Sequence, residues 1–162
     1  MRFLADEMLG KMTRWLRALG VDVAYETEFE DDKILNQAKR EGRLVFTRDH
    51  KLLKRLQARH IPSLFIQHDK WQDQIREFFS HFPRFRHLEG LLSRCMECNE
   101  LLETVPKEKV KDKVWPYVYE TQSVFSYCKH CDRFYWKATH VEKIIDRLKA
   151  LVEESHGGVK TQ

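Results

Sequence analysis

The sequence has little of what marks a disordered, fibrous or membrane-spanning chain. Gly and Pro are scarce, 6 and 4 of 162 residues, and 42% of the residues are hydrophobic, which excludes a collagenous or low-complexity chain and leaves enough apolar material for a core. No run of about 18 apolar residues occurs, so we expect no transmembrane helix. The N-terminus reaches Asp6 and Glu7 after a short apolar run, unlike a signal peptide. We expect a soluble, cytoplasmic protein with no membrane partner.

A large excess of one charge is also missing, and cysteine is rare. The 29 Lys and Arg against 25 Asp and Glu leave a net charge of +4, which is compatible with a nucleic-acid partner but is weak evidence for one. The four cysteines form two close pairs, Cys95 with Cys98 and Cys128 with Cys131. In a reducing compartment, such pairs indicate metal ligands before disulfides.

Short apolar runs alternate with amphipathic stretches over the first 82 residues. We predict strands at 2–5, 21–25, 44–47 and 63–66, each followed by a helix, the last at 71–82. This alternation predicts an α/β fold with a parallel sheet covered by helices on both faces. The predicted organisation is an α/β domain over 1–90, a small cysteine domain with a closing helix over 91–155, and a polar tail over 156–162.

The cysteine spacing predicts a structural zinc site. Two CxxC turns can supply the four thiolates of a tetrahedral ion and leave no position open for a catalytic water. The 29 residues between the pairs hold β-prone and Pro-broken segments such as Val114–Tyr119. Asn99 and Asp132 follow the second cysteine of each pair, where a left-handed backbone is often needed. The alternatives are a redox CxxC pair, four unrelated buried thiols, or substitution of a ligand by His130 or His140.

Acidic residues follow three of the predicted strands. Asp6 follows the first strand, with Glu7 beside it; Asp31 and Asp32 open the second helix; Asp49 follows the third strand. Each could be a helix N-cap, yet Ser, Thr and Asn serve about as well, so chance alone rarely gives three aspartates. Carboxylates gathered at one edge of a parallel sheet need a cation, and Mg²⁺ or Mn²⁺ prefers such oxygen ligands. The pattern predicts a metal site that can hydrolyse a phosphodiester.

Basic residues near these acids could contact a nucleic-acid backbone. Lys11 and Arg14 lie close to the start of the first helix, and Arg48 adjoins Asp49. Arg17 is a further candidate, for which a solvated helix face is an equal alternative.

The second cysteine pair also has aromatic and basic neighbours. The rings favour the core of a small metal domain over base stacking, and the basic side chains are candidate nucleic-acid contacts. The aromatic residues are Phe125, Tyr127, Phe134, Tyr135 and Trp136, and the basic residues are Lys129, Arg133 and Lys137.

Several stretches, taken together, resemble the Mut-seven C-terminal (Mut7-C) RNase domain, a PIN-like nuclease fold fused to a zinc ribbon. The resemblance runs from Met1 to about Lys143. The stretches are Phe3–Met12 with Trp15–Arg17 and Leu19–Gly20, Asp31–Ala38, Thr47–Asp49, Arg94–Asn99, and Cys128–Cys131 with Tyr135, Trp136 and His140. The chain departs from the family pattern at Glu100 and Ala138, where the family often has Gly.

The resemblance implies a metal-dependent ribonuclease of the PIN kind whose acidic residues are Asp6, Asp31 and Asp49. Asp31 is preferred to Asp32 because it lies seven residues before Ala38, as in the family pattern.

The leading hypothesis is therefore hydrolysis of RNA, expected to be single-stranded, at a site holding Mg²⁺ or Mn²⁺. Asp6, Asp31 and Asp49 are the proposed ligands, and Glu7 and Asp32 assist. The alternatives are an RNA- or ribosome-binding adaptor that uses the cysteine domain, and a phospho-acceptor switch, which the absence of a fifth strand with a Lys disfavours. Endo- or exonucleolytic action, one or two metals and the oligomeric state stay open.

Overall fold

The structure, a computed structural model, describes residues 1–25, 27, 30–136 and 139–156. Its first part alternates strands with helices, as predicted. A 3₁₀ turn at Glu7–Leu9 precedes the first helix. The elements are β1 (Phe3–Ala5), α1 (Gly10–Ala18), β2 (Val23–Tyr25), α2 (Asp31–Glu41), β3 (Leu44–Thr47), α3 (His50–Ala58), β4 (Ser63–Phe65) and α4 (Trp71–His81).

The four strands form one parallel sheet in the order β2-β1-β3-β4. Phe3 pairs with Val23 on one side and with Leu44 on the other, and Val45 pairs with Ser63. The predicted parallel sheet is thus confirmed. Because all four strands point the same way, the segments that follow them emerge at one edge.

Helices cover both faces of the sheet. Alternate residues of β1 point to opposite sides, so Phe3 lies in one buried cluster and Leu4 in the other. Phe3 stacks on Phe46 with ring centroids 4.8 Å apart. The other cluster includes side chains of α2 and α3, among them Leu35 and Leu56.

The last helix, α6 (Thr139–His156), packs on α4 and extends the core on the first face. Leu148, Leu151 and Val152 are buried in the same cluster as Phe3, and Arg76 forms an ion pair with Glu154. Within the described residues, no helix combines the length and apolarity needed to cross a bilayer.

The basic stretch that follows α4 is packed against the α/β domain. It opens with a 3₁₀ turn at Pro83–Arg86, and its apolar side chains join the first core cluster, namely Phe85, Leu88, Leu91 and Leu92. Gly90 lies against Gly20, whose φ is +83°, and a Cβ on Gly20 would meet the Gly90 carbonyl oxygen at 2.3 Å. Gly20 is therefore needed both for its backbone conformation and for this close approach.

We name residues 94–136 the cysteine module. Its antiparallel sheet has the order β5-β6-β7, made of β5 (Glu103–Val105), β6 (Phe125–Cys128) and β7 (Arg133–Trp136). The Val114–Tyr119 segment does not form a strand, since a short helix, α5 (Pro116–Thr121), begins within it with Pro at its first position.

Candidate active site and cysteine centre

Three strand-to-helix junctions bring acidic residues to one small pocket at the sheet edge. Asp6 and Glu7 come from the end of β1, Asp31 from the start of α2, and Asp49 from the end of β3. All four line a pocket of about 50 Å³, which is also lined by Met8, Ile34 and Leu52. A volume of this size accommodates an ion with a water molecule.

Asp6 is the fixed member of this group, with 4% of its surface exposed. Its Oδ1 accepts from the Met8 N–H at 3.0 Å, and its Oδ2 accepts from the Arg48 N–H at 2.9 Å and from the Thr47 hydroxyl. These three donors fix the orientation of the Asp6 carboxylate.

Thr47 is a site residue that we did not predict. Its hydroxyl donates to Asp6 and accepts from the Asp49 N–H at 2.9 Å, so one buried side chain sets the relative positions of two acids. The hint in the sequence is its place at the end of β3, directly before Arg48 and Asp49.

The cap and ligand interpretations of the aspartates are compatible. Asp49 caps α3 through its Oδ1, which accepts from the Lys51 N–H at 2.6 Å, and Asp6 caps the 3₁₀ turn. Asp31 is not a cap, since it is the first residue of α2 and follows Glu30. For both Asp49 and Asp31, the hydrogen bonds with described residues engage one carboxylate oxygen, Oδ1 of Asp49 and Oδ2 of Asp31.

Arg55 of α3 reaches across to α2 and contacts two of the predicted site residues. Its guanidinium lies 2.8 Å from Asp31 Oδ2 and also contacts Asp32 Oδ1. Asp32 is exposed, and its carboxylate contacts Arg55. It does not line the acid pocket.

The predicted basic residues occupy three different places. Lys11 is exposed and lines a cavity next to the acid pocket. Arg48 is bound to the 67–70 loop through the His68 carbonyl and Asp69. Arg14 points to the cysteine module, where its Nη2 lies 2.6 Å from Glu97, and it lines a larger cavity of about 590 Å³ there.

The four cysteine sulfurs lie within 4.8 Å of one another. Cys95 Sγ is 3.9 Å from Cys131 Sγ, and Cys98 Sγ is 3.4 Å from Cys128 Sγ. Four sulfurs bound to zinc at about 2.3 Å in a tetrahedron would lie about 3.8 Å apart. Within the described residues, no other set of three or more His, Cys, Asp or Glu ligand atoms lies this close together. The carboxylates of the acid pocket line one cavity and would have to approach one another to share an ion.

Local geometry supports the cluster. Asn99 and Asp132 have φ of 73° and 51°, the left-handed backbone predicted after each pair. Burial opposes ionisation of Cys95, but hydrogen bonds, the first from the Tyr135 hydroxyl at 3.0 Å, lower the pKa of this thiol to about 7. Burial raises the pKa of Tyr135, which keeps its hydroxyl protonated as a donor.

The structure describes the side chain of one of the two histidines considered as alternative ligands. His130 is exposed, with Nδ1 4.0 Å from Cys131 Sγ, and it is not a member of the sulfur cluster. The side chain of His140 and all of Lys137 and Ala138 lie outside the residues that the structure describes.

The aromatic residues of the module form its core only in part, since four of the five are half-buried and three of those line the cavity of about 590 Å³, namely Phe134, Tyr135 and Trp136. Phe125 is fully buried, and the Tyr127 ring packs on Phe134 at 4.8 Å. Two of the candidate RNA contacts form ion pairs within the module. Lys129 Nζ lies 3.0 Å from Glu103 Oε1, and Arg133 Nη1 lies 3.8 Å from Glu97 Oε1.

Arg17 joins the α/β domain to the cysteine module, and neither role considered for it from the sequence is correct. It is 4% exposed. Its Nε donates to the Val23 carbonyl at 2.9 Å, and its Nη1 donates to the carbonyls of Met96, at 3.3 Å, and Glu97. Burial lowers its pKa, while nearby cysteines, Glu97 and Asp22 favour the charged form.

We expect Arg17→Met to destabilise the protein by about 2–4 kcal/mol, because the carbonyls of Val23, Met96 and Glu97 would lose buried hydrogen bonds. Urea unfolding followed by circular dichroism measures this loss. The matched control is Arg14→Met on the same helix, whose exposed ion pair with Glu97 is worth about 1 kcal/mol or less. Equal losses in the two variants would contradict the role assigned to Arg17.

Comparison with known proteins finds a family whose model covers most of the chain. The model of the Mut7-C RNAse domain matches residues 1–148, which include the acid pocket and the four cysteines. The chain belongs to the Mut7-C RNAse domain family. The resemblance predicted from the sequence is thereby confirmed.

One curated relative of this Mut7-C chain is the human "Exonuclease mut-7 homolog". The two are 32% identical over 120 residues, which cover 70% of this chain and 14% of the human protein. The chain thus corresponds to a small part of that relative. No solved structure shows a significant match. The family and the relative together indicate a nuclease.

Proposed function

We propose that this Mut7-C chain is a metal-dependent ribonuclease with a PIN-like catalytic domain and a structural zinc ribbon. The observation that carries the proposal is the meeting of Asp6, Asp31 and Asp49, from three separate junctions, at one pocket. Family membership supports nuclease activity. The choice of RNA rests on the name of the family.

The oxygen donors of the pocket suit Mg²⁺ or Mn²⁺, which prefer carboxylates and retain several waters. Asp6 accepts three hydrogen bonds, and a carboxylate has about four lone-pair positions, so one is left for a ligand. Asp31 and Asp49 would each contribute the oxygen that is not engaged with Arg55 or the α3 N-terminus.

A cation held there would activate water and neutralise charge on the scissile phosphate. Asp6, fixed by Thr47 and by backbone N–H groups, sets the direction from which ligands approach. Glu7 is exposed at the same pocket, and its carboxylate accepts the proton that the attacking water loses. Lys11, in the adjoining cavity, contacts the RNA backbone.

The cysteine centre would hold zinc in a structural role. The sulfur separations of 3.4 and 3.9 Å bracket the spacing of about 3.8 Å expected around tetrahedral zinc. With four thiolates as ligands no coordination position stays open, so the hydrolytic chemistry belongs to the acid pocket.

The test is cleavage of single-stranded RNA with and without added Mn²⁺. We expect cleavage that depends on Mn²⁺ and falls at least about 100-fold in Asp31→Asn, with the matched variant Asp146→Asn, at an exposed position of α6, unchanged. RNA binding without cleavage in both the parent and Asp31→Asn would favour the adaptor function instead.

Arg55 competes with a cation for Asp31. We expect Arg55→Gln to strengthen Mn²⁺ binding severalfold, because the carboxylates of Asp31 and Asp32 lose their ion-pair partner. Calorimetric titration of Mn²⁺ measures the change, and Arg40→Gln, which removes an exposed pair with Glu41 on α2, is the control. Weaker Mn²⁺ binding in Arg55→Gln would contradict Asp31 as a ligand.

A further inference from the structure

Two further cavities follow the acid pocket on the surface: the second shares a lining residue with the acid pocket, and the third shares lining residues with the second. Met8, with 59% of its surface exposed, lines both the acid pocket and a second cavity of about 440 Å³. Trp71 and Gln72 line that cavity and also a third one of about 340 Å³. The second cavity therefore adjoins both the acid pocket and the third cavity, and we name the three spaces together the groove, which extends from the acids past the start of α4 to α6.

The groove beyond Met8 is cationic. Lys11 and Lys70 line the second cavity and Arg147 lines the third, and all three are exposed. Asp69 is the acidic residue of this lining, and Arg48 already forms an ion pair with it. A negatively charged chain is attracted to such a surface, whereas the acid pocket beside it repels the same chain unless a cation is bound.

Trp71 gives the groove an aromatic wall at the junction of the two cationic cavities. Its ring stacks on Trp15, with centroids 4.3 Å apart and an interplanar angle of 5°. This stack fixes a half-buried ring at the surface. Fixed aromatic rings beside cationic side chains bind the bases and phosphates of single strands, in which the bases are free to stack.

We infer that this groove binds a single-stranded segment of the nucleic acid on one side of the scissile phosphate. Lys11, Lys70 and Arg147 contact successive phosphates, and Trp71 stacks on a base. The inference rests on the proposed ribonuclease function for the position of the scissile phosphate, but the binding itself needs no cleavage. It makes the groove responsible for the preference for single strands.

The test measures binding of a fluorescein-labelled oligouridylate of about ten nucleotides by anisotropy, with no divalent metal added, over a range of salt concentrations. Affinity falls as salt rises, and each phosphate contact of a single strand contributes about 0.7 to the steepness of the plot of log K against log salt. Removing one cationic side chain that makes such a contact therefore makes the plot shallower by about 0.7. We expect the triple variant Lys11→Gln, Lys70→Gln, Arg147→Gln to make the plot shallower by about 2. Each single variant should weaken binding about 3–10-fold.

The control is Lys39→Gln, an exposed lysine in the last turn of α2, at the sheet edge opposite the acids. It should leave affinity and slope unchanged, and all variants should melt at the parent's temperature because the changed side chains are exposed. A duplex of the same length should bind more weakly than the single strand. The inference is wrong if the triple variant binds with the parent's affinity and salt dependence. It is also wrong if the parent does not bind the oligonucleotide at low salt.

The binding role of the groove and the proposed ribonuclease function can fail independently, and the experiments distinguish the two failures. If the triple variant binds normally while Asp31→Asn abolishes cleavage, the ribonuclease proposal stands without this groove. If the triple variant loses binding while Asp31→Asn changes no cleavage, the groove stands and the catalytic role of the acids does not.

Discussion

Asp49→Asn should lower RNA cleavage at least about 100-fold, the order of loss seen when a group that stabilises transition-state charge is removed, and leave the fold intact. The reason is that Asp49 has two separable roles. Its Oδ1 caps α3, and Asn is as good an N-cap as Asp. The carboxylate charge, which a divalent cation needs, is lost. Initial cleavage rates with Mn²⁺, together with thermal melting, measure the two roles separately.

Asp6→Asn differs from Asp49→Asn in its expected effect on stability. Asp6 is buried and accepts all of its hydrogen bonds from N–H and O–H donors, and an amide group in its place would turn an NH₂ toward one set of donors. We therefore expect loss of stability as well as of activity there. A variant of Asp49 that retains full activity, with Asp146→Asn also active, would remove Asp49 from the site.

The alternation of strands and helices, and the position of each acid, could be predicted from the sequence because both depend on local patterns. Buried strands appear as short apolar runs. Asp6 directly follows one of them, β1, and Asp49 follows another, β3, after one intervening residue. Parallel pairing then brings those strand ends to one edge. The same logic could not give Arg55, since its contact with Asp31 spans 24 residues between two helices.

Long-range docking explains what sequence patterns missed in α1. Arg17 contacts Met96 and Glu97 across 79 and 80 residues, and nothing local distinguishes it from the exposed Arg14 three residues earlier. Asn99 acts in the same interface, where its side-chain oxygen accepts from the Val23 N–H at 3.1 Å. The left-handed backbone of Asn99 was predictable, whereas this contact with β2 depends on how the two parts of the chain pack.

Cys128→Ser should release the zinc and unfold the cysteine module. Cys128 is fully buried at the end of β6, so a serine there cannot complete the set of soft ligands. Structural zinc sites contribute roughly 10–16 kcal/mol of binding free energy, far more than a small antiparallel sheet can supply alone. Elemental analysis should find about one zinc per parent chain and none in the variant, with faster proteolysis between the two cysteine pairs.

His130→Ala is the matched control, because it removes a potential ligand that is exposed and is not a member of the sulfur cluster. It should retain the full zinc content and the parent's resistance to proteolysis. Since Arg17 binds the carbonyls of Met96 and Glu97 within the first cysteine turn, loss of zinc should also lower the melting temperature of the α/β domain. Full zinc content in Cys128→Ser, or a disulfide in place of zinc in the purified parent, would contradict a four-cysteine structural site.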